Sequence, residues 1–433
     1  MKKYVVFMLL LFLLLNSPVY SAPSTPNISS EAAIVIDANT GKILFEKNIN
    51  KKLAPASTTK IMTGILAIEM GDLSKNVIID KETPLGIIGS HIALEPGEIL
   101  TFEDLLYALL IQSANDSAKA IAINLSGSVE EFAKLMNKKA KELGAKNTHF
   151  VNPHGLDEEN HFSTAYDLAI IAKYAMKNDT FRNIVNNYKY KIEKTNKKDV
   201  PRYLKSQNKL MYSNEEINVD GNYIPIKYSG ANGIKTGFTD NARYCLVSSA
   251  KRGEQELIAV VLKASNMKAL YTDTHNLLNF GFDNFYTNKI AYERQFIKNV
   301  KVENGDKAFV TTVIDKNLSA IIPKGTNSNI ETKLNLPDKL KAPIPKGRVI
   351  GNIEYLIDGK TLGTANIIAA IEVNQKPLPA VIDSKSNNFI LKKWWSWPIV
   401  LFLIWRSYIS VRRYKKRKKR KRRKATFVYS KKI

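Results

Sequence analysis

The chain has 433 residues, 44% of them hydrophobic and 24% charged, and a net charge of +25; this is the make-up of a globular protein of two or three domains and excludes a disordered polyelectrolyte. The charge is not evenly spread, because 18 of the 65 Lys and Arg, and no Asp or Glu, follow Asp383, which leaves residues 1–383 at only +7. A single cysteine, Cys245, excludes an internal disulfide and a cysteine-based metal cluster, and five histidines without ligand spacing give no reason to expect a metal or other cofactor.

Residues 1–22 have the pattern of a secretory signal: Lys2 and Lys3, an apolar core from Tyr4 to Leu15, a break at Asn16-Ser-Pro, and small residues Ser21 and Ala22 at a cleavage point. A Pro/Ser/Asn linker follows. Ala32–Ile36 and Lys42–Lys47 flank Asn39-Thr-Gly and predict a hairpin. A helix is expected to begin at Ser57, behind Pro55, with Ile61, Met62, Ile65 and Leu66 at helical spacing. Thr101–Ile111 predicts a helix capped by Thr101, interrupted by Ser113-Ala-Asn115 and resumed over Asp116–Leu125. Further helices are expected over Val129–Leu143 and Thr164–Met176, with the turn-rich Asn152-Pro-His-Gly155 between them. Residues 187–230 look polar and irregular. Ala231–Gly237, Arg243–Ala250 and Glu256–Ala264 predict three strands, the second holding Cys245 as an inert buried thiol, and Met267–Phe280 a helix packed across them.

A change in composition near Tyr286 opens a small all-β domain, assigned to residues 291–375, in which no catalytic constellation is evident. After a polar linker, Trp394–Trp405 is apolar and aromatic. Counted over residues 389–411, the stretch reaches the ~20 residues of a spanning helix, with residues 412–433 as a basic cytoplasmic tail. The alternative is an interfacial helix on anionic lipid. A nucleic-acid partner is not expected of an exported chain.

Three short motifs stand in an informative order: Ser57-Thr-Thr-Lys60, Ser113-Ala-Asn115 and Lys235-Thr-Gly237. Residues three apart on a helix share a face, so Lys60 is set to stand beside the Ser57 hydroxyl. A lysine in a dry site loses its preference for the proton and can take one from serine. Ser113 sits where a side chain can point into a cleft and relay a proton, while Asn115 offers an amide to hold Lys60 or a substrate. Lys235 and Thr236 are suited to a carboxylate, and Gly237 leaves room for a substrate backbone beside the strand. Singly these are weak, since Ser-x-x-Lys recurs at Ser206, Ser248 and Ser265, and Ser-x-Asn at Ser74, Ser206 and Ser386. Lys-Thr-Gly occurs once, and the ordered set is far rarer than its parts.

The set resembles that of penicillin-binding proteins and β-lactamases. Residues 28–283 resemble the serine-type D-alanyl-D-alanine carboxypeptidases of low molecular weight, a likeness extended by Ser113-Ala-Asn-Asp-Ser-Ala-Lys119, Asn152-Pro-His-Gly-Leu156, Phe162-Ser-Thr-Ala-Tyr-Asp167 and Gly233-Ile-Lys-Thr-Gly237. The resemblance implies an α+β catalytic domain with the β-lactamase/transpeptidase-like fold, an antiparallel sheet flanked by helices plus a helical subdomain. The β domain and the C-terminal membrane anchor follow it. It implies Ser57 as the acylated nucleophile, Lys60 as base and Ser113 as proton relay, with Lys235 and Thr236 on the terminal carboxylate. Asn115 and Gly237 complete the substrate site, and the backbone N–H groups of Ser57 and Phe238 form the oxyanion hole. His154, Asp167 and Lys209 fall where relatives border the site.

The implied partners are peptidoglycan stem peptides ending in D-Ala-D-Ala, β-lactams as covalent inhibitors, and membrane lipid. A class A β-lactamase is disfavoured, because Ala114 replaces its aspartate and Glu331-Thr-Lys-Leu-Asn335, the only Glu-x-x-Leu-Asn string, follows Lys235 instead of preceding it. A DD-endopeptidase of the same fold and an inactive wall-binding membrane scaffold remain as alternatives.

Overall fold

The computed structural model describes residues 25–326, 329–377 and 397–429. The expected signal, residues 1–22, lies outside them. The first unit is organised on a five-stranded antiparallel sheet of β1 (Ala32–Asp37), β2 (Ile43–Lys47), β3 (Ala231–Thr239), β4 (Arg243–Arg252) and β5 (Gln255–Ala264), in the order β2-β1-β5-β4-β3. The first strand pairs with the last, Ala32 opposite Leu262 and Asp37 opposite Leu257. Everything between β2 and β3 is therefore one long excursion that must return to the sheet.

All six residues of β1 are buried, which an apolar strand requires when both faces of its sheet are covered. Ala32, Ile34 and Ile36 join a core shared with the helical excursion, while Ala33 and Val35 join a second core on the opposite face. This alternation follows from the two-residue period of a strand. The second face is covered by a helix built from Leu270, Tyr271, Leu277, Leu278 and Phe282.

The helices are α1 (Lys60–Met70), α2 (Phe102–Tyr107), α3 (Asn115–Ser126), α4 (Val129–Glu142), α5 (Ala165–Ala175), α6 (Asp179–Asn186), α7 (Met267–Asn284) and α8 (Trp397–Tyr429). Thr101 caps α2 in a reciprocal arrangement with Asp104. The run predicted as one helix to Ile111 changes to a π-helical turn over Ala108–Gln112, which ends at Ser113 in a left-handed conformation with φ 65°. Residues 187–230 are not irregular throughout. They hold two short ribbons, Lys189–Ile192 with Arg202–Lys205 and Glu216–Val219 with Asn222–Pro225. Such ribbons carry too few alternating apolar residues for periodicity to reveal them.

The second unit is all-β. A six-stranded sheet runs Glu331–Asn335, Val349–Ile357, Lys360–Ala369, Phe309–Ile314, Phe296–Glu303 and Lys339–Lys341, beside a ribbon of Phe285–Ala291 with Leu318–Pro323. Its two cores are small, one around Val300, Val310, Ile344 and Val373, the other around Ile314, Ile353 and Ile367. The ribbon leaves α7 directly, and Thr287 donates to Asp37 at 2.9 Å, tying the unit to β1. Glu331–Asn335 is an exposed edge strand here, far in the topology from β3.

The expected spanning helix is not found: among the described residues no helix is long and apolar enough to cross a membrane. Residues 389–396 lie outside the described part. Within α8 the uncharged stretch Trp397–Trp405 ends at Arg406 and turns densely basic from Arg412. At 1.5 Å per residue those nine residues cover about 14 Å, against about 30 Å of hydrocarbon.

Candidate active site

Ser57 lies not on an α-helix but on a 3-10 turn, Ala56–Thr59, that leads into α1. Ala56, directly before it, takes φ 47°, a conformation that costs a non-glycine residue energy and that concentrates at functional sites. The turn brings Lys60 Nζ to 2.9 Å from Ser57 Oγ. The same nitrogen donates to Asn115 Oδ1 at 2.6 Å and to the His154 carbonyl at 2.8 Å. The Asn115 amide is held at its other end, where Nδ2 donates to the Ile88 carbonyl at 2.6 Å. Both ends of this side chain are thus engaged within the protein, with Lys60 as one partner.

Asn115 begins α3, and Ser113 precedes it by one left-handed turn. Ser113 is buried. Asp116, also buried, accepts from the backbone N–H of Ile92, Leu94 and Ser117 and so anchors the 92–94 loop beside the motif.

Strand β3 supplies the opposite wall and is the free edge of the sheet. Lys235 and Gly237, two apart, share one face, opposite Val247 and Cys245 of β4, while Thr236 looks to the other, opposite Leu246. Gly237 is pressed against the serine turn: a Cβ there would stand 2.9 Å from the Ser57 backbone nitrogen. Lys235 is buried and donates to the Thr236 carbonyl at 2.9 Å. The Thr236 hydroxyl oxygen is buried without a partner among the described residues, an orphan that a bound acceptor or donor would satisfy. Thr236, Gly237 and Phe238 line a cleft of about 430 Å³ with Gln112, Tyr212 and Tyr244. Phe238 is half exposed and tilted against Tyr244, ring centroids 4.6 Å apart.

Two ammonium groups buried near each other cannot both hold their charge comfortably. Burial lowers Lys60 well below the usual lysine value, and the neighbouring charge of Lys235 lowers it further, with Asp116 opposing. Burial alone brings Lys235 down to about 7. A hydroxyl next to a buried amine that is ready to lose its proton is an activated nucleophile. Among the described residues no group of three His, Cys, Asp or Glu could hold a metal.

The other expected border residues are placed differently. His154 meets Lys60 through its carbonyl; its ring is mostly buried and pushed down to about 3. Asp167 accepts from Asn147 N–H and Thr148 Oγ1, both at 2.7 Å, and joins that loop to α5. Lys209 lines the cleft, but its ammonium is paired with Glu215 at 2.6 Å. Sequence reasoning missed His161, whose Nε2 lies 2.9 Å from Thr59 Oγ1 under the serine turn. It also missed Gly155, where a Cβ would meet the Ala56 carbonyl oxygen at 1.9 Å. The second could have been read from the turn string Asn152-Pro-His-Gly; nothing local marks the first.

Residues 20–266 match the peptidase S11 family of D-alanyl-D-alanine carboxypeptidases, and residues 285–375 match the penicillin-binding protein 5 C-terminal domain. The chain belongs to the D-alanyl-D-alanine carboxypeptidases. It is 38% identical to the D-alanyl-D-alanine carboxypeptidase DacF of Bacillus subtilis, over 83% of this chain and 87% of the relative. It is 32% identical to DacA of Escherichia coli, over 86% and 87%. The crystal structure of penicillin-binding protein 5 from Haemophilus influenzae superposes with a TM-score of 0.68 at 29% identity, covering 82% of this chain and all of that one. This carboxypeptidase is thus a serine hydrolase of the penicillin-binding protein family with an α+β catalytic domain and an all-β second domain.

Proposed function

We propose that this carboxypeptidase removes the terminal D-alanine of peptidoglycan stem pentapeptides through an acyl-enzyme on Ser57. The observation that carries the assignment is the position of Lys60 Nζ, shared between Ser57 Oγ and two fixed acceptors. In its neutral form the amine keeps N–H bonds to Asn115 and to the His154 carbonyl, and its lone pair faces the serine O–H. Ser57 Oγ then bonds to the carbonyl carbon of the penultimate D-alanine as its proton passes to Lys60. The oxyanion is met by the backbone N–H groups of Ser57 and Phe238. When the C–N bond breaks, the proton reaches the leaving D-alanine nitrogen by way of Ser113. Water next attacks the ester, with Lys60 and Ser113 acting in reverse, and Ser57 is released.

Lys235 and the unpartnered Thr236 hydroxyl receive the free carboxylate of the terminal residue. Pairing with that anion favours the charged form of Lys235 at the moment when Lys60 must be neutral. A β-lactam is a mimic of the same peptide and stalls at the ester. Labelled penicillin should form a stable adduct on Ser57 that is lost in Ser57→Ala; labelling at another residue, or none, would reject the assignment. Pentapeptide against a cross-linked dimer distinguishes carboxypeptidase from endopeptidase use.

We place the enzyme outside the cytoplasm, exported by residues 1–22, with α8 lying on the membrane surface. The apolar start of α8 (Trp397, Leu401, Phe402, Trp405) suits the acyl boundary, and its basic run suits anionic headgroups. Flotation with vesicles should show binding that rises with anionic lipid and falls with salt. Binding indifferent to both would exclude this placement.

A further inference from the structure

We propose that His161 is a positioning residue for acylation, holding the turn that carries Ser57 and Lys60 through a hydrogen bond to Thr59; the inference rests on the nucleophile assigned above. The turn needs holding from outside. Neither its own N-cap, Pro55, nor Thr59 at the start of α1 makes a side-chain cap bond, and Ala56 at φ 47° is strained. Its one internal side-chain bond, Thr58 Oγ1 to the Pro55 carbonyl at 2.6 Å, does not tie it to any other element.

The ties come from the loop between α4 and α5. Lys60 Nζ reaches the His154 carbonyl and Thr63 Oγ1 the Pro153 carbonyl. His161 Nε2 lies 2.9 Å from Thr59 Oγ1, with both residues buried. Only the last grips the segment between nucleophile and base without using a reacting group. Its direction is settled by chemistry. Val151 N–H donates to His161 Nδ1 at 3.0 Å, so a neutral ring carries its proton on Nε2 and gives it to Thr59.

The ring is in turn held edge-on by Phe150, centroids 5.7 Å apart. Gly155 closes the contact: a Cβ there would lie 2.8 Å from Thr59 Oγ1. The charged and titratable groups facing this region are Lys235, Asp116 and His154 around Lys60, Lys119 and His161 beside His154, and His149 beside His161.

The test uses the full chain and measures the rate of penicillin acylation from pH 5 to 11 in Thr59→Val, His161→Asn, His161→Gln and the double variant Thr59→Val/His161→Asn. Asn keeps an acceptor for Val151 but is too short to reach Thr59, whereas Gln places an N–H donor where Nε2 was. Loss of the bond should slow acylation at least about tenfold, since displacements near 1 Å cost that much or more. Looser packing admits water to Lys60 and restores its affinity for protons, so the acidic limb of the rate profile should move to higher pH. His161→Gln should recover most of the rate, and the double variant should be no slower than either single change. Wild-type rates and an unmoved limb in Thr59→Val overturn the proposal, even if His161→Asn fails to fold. So do effects that multiply in the double variant. Wild-type protein that is not labelled on Ser57 removes the nucleophile assignment and this inference together, whereas labelled wild type with unaffected variants removes this inference alone.

Discussion

The amine of Lys60 and the hydroxyl of Ser57 are 2.9 Å apart although only one tight turn separates the residues. An α-helical start would place the two side chains on one face as well. The 3-10 turn adds a left-handed residue directly before the serine, so Ser57 is lifted toward β3 while Lys60 stays buried. The pair therefore joins a partly buried nucleophile to a dry base.

That dryness is testable through pH. The rate of acylation should rise with pH as Lys60 loses its proton, and it should level off below the ordinary lysine value of 10.5 because burial and Lys235 lower the group. Lys60→Met should cut the rate by about 10²–10⁴. Asn115→Asp puts an anion on the amine, favours its proton, and should move the acidic limb upward. Stopped-flow acylation across pH 5–11 reads all three.

Thr236→Val separates binding from folding. The hydroxyl is buried and unpartnered, so its replacement by a methyl group should leave thermal stability unchanged or slightly raised. The carboxylate of a bound peptide loses a donor, and kcat/KM should fall about 10-fold to 100-fold, the equivalent of about 1.5–3 kcal/mol for a bond to a charged group. A peptide amidated at its C-terminus should be far less sensitive to the change.

Acid should destabilise the catalytic domain before its carboxylates titrate. His154 and His161 are depressed by burial from 6.5 to about 3 and about 4. Between those values and 6.5 the unfolded chain binds protons that the native one refuses, so stability falls as pH falls. Each histidine contributes a slope of about 1.4 kcal/mol per pH unit in its window. Urea midpoints measured from pH 7 to 4 should show this, and His161→Gln should remove one share of the slope.

Arg202 should matter more than its place in a short ribbon suggests. It donates from Nη2 to both oxygens of Glu98, at 2.7 and 3.0 Å, and Glu98 is fully buried. Thr195 adds a bond at 2.8 Å. Arg202→Leu leaves a buried carboxylate without its cation and should cost about 3–5 kcal/mol. Adding Glu98→Gln should recover part of that loss, as measured by chemical denaturation.

Long periodic segments were legible in advance. α4, α5 and the strands β3 to β5 lie within a few residues of where apolar spacing and caps put them, because each signal sits inside its own element. The π-helical turn that follows α2 was not legible, since Ala108–Gln112 continues the ordinary apolar run of the helix before it. Nor was the length of apolar surface in α8, where counting residues 389–411 as one span ran past Arg406, at which the uncharged start of α8 ends. Lys209 shows the same limit at the scale of one side chain: it reaches the cleft, yet Glu215 claims its charge.

Taken alone, the order of residues determined the chemistry on offer: a serine three residues before a lysine, a second serine, and a lysine-threonine-glycine strand. These are local strings, and their meaning survives without coordinates. Tertiary structure alone decided who holds what. Asn115 reaches Lys60 across 55 residues and His161 reaches Thr59 across 102, and Gly237 lies on the Ser57 nitrogen because β3 happens to be the open edge of the sheet. Hydrogen bonds of that span are selected by the closing of the whole chain around its core, and spacing along the polymer carries no record of them.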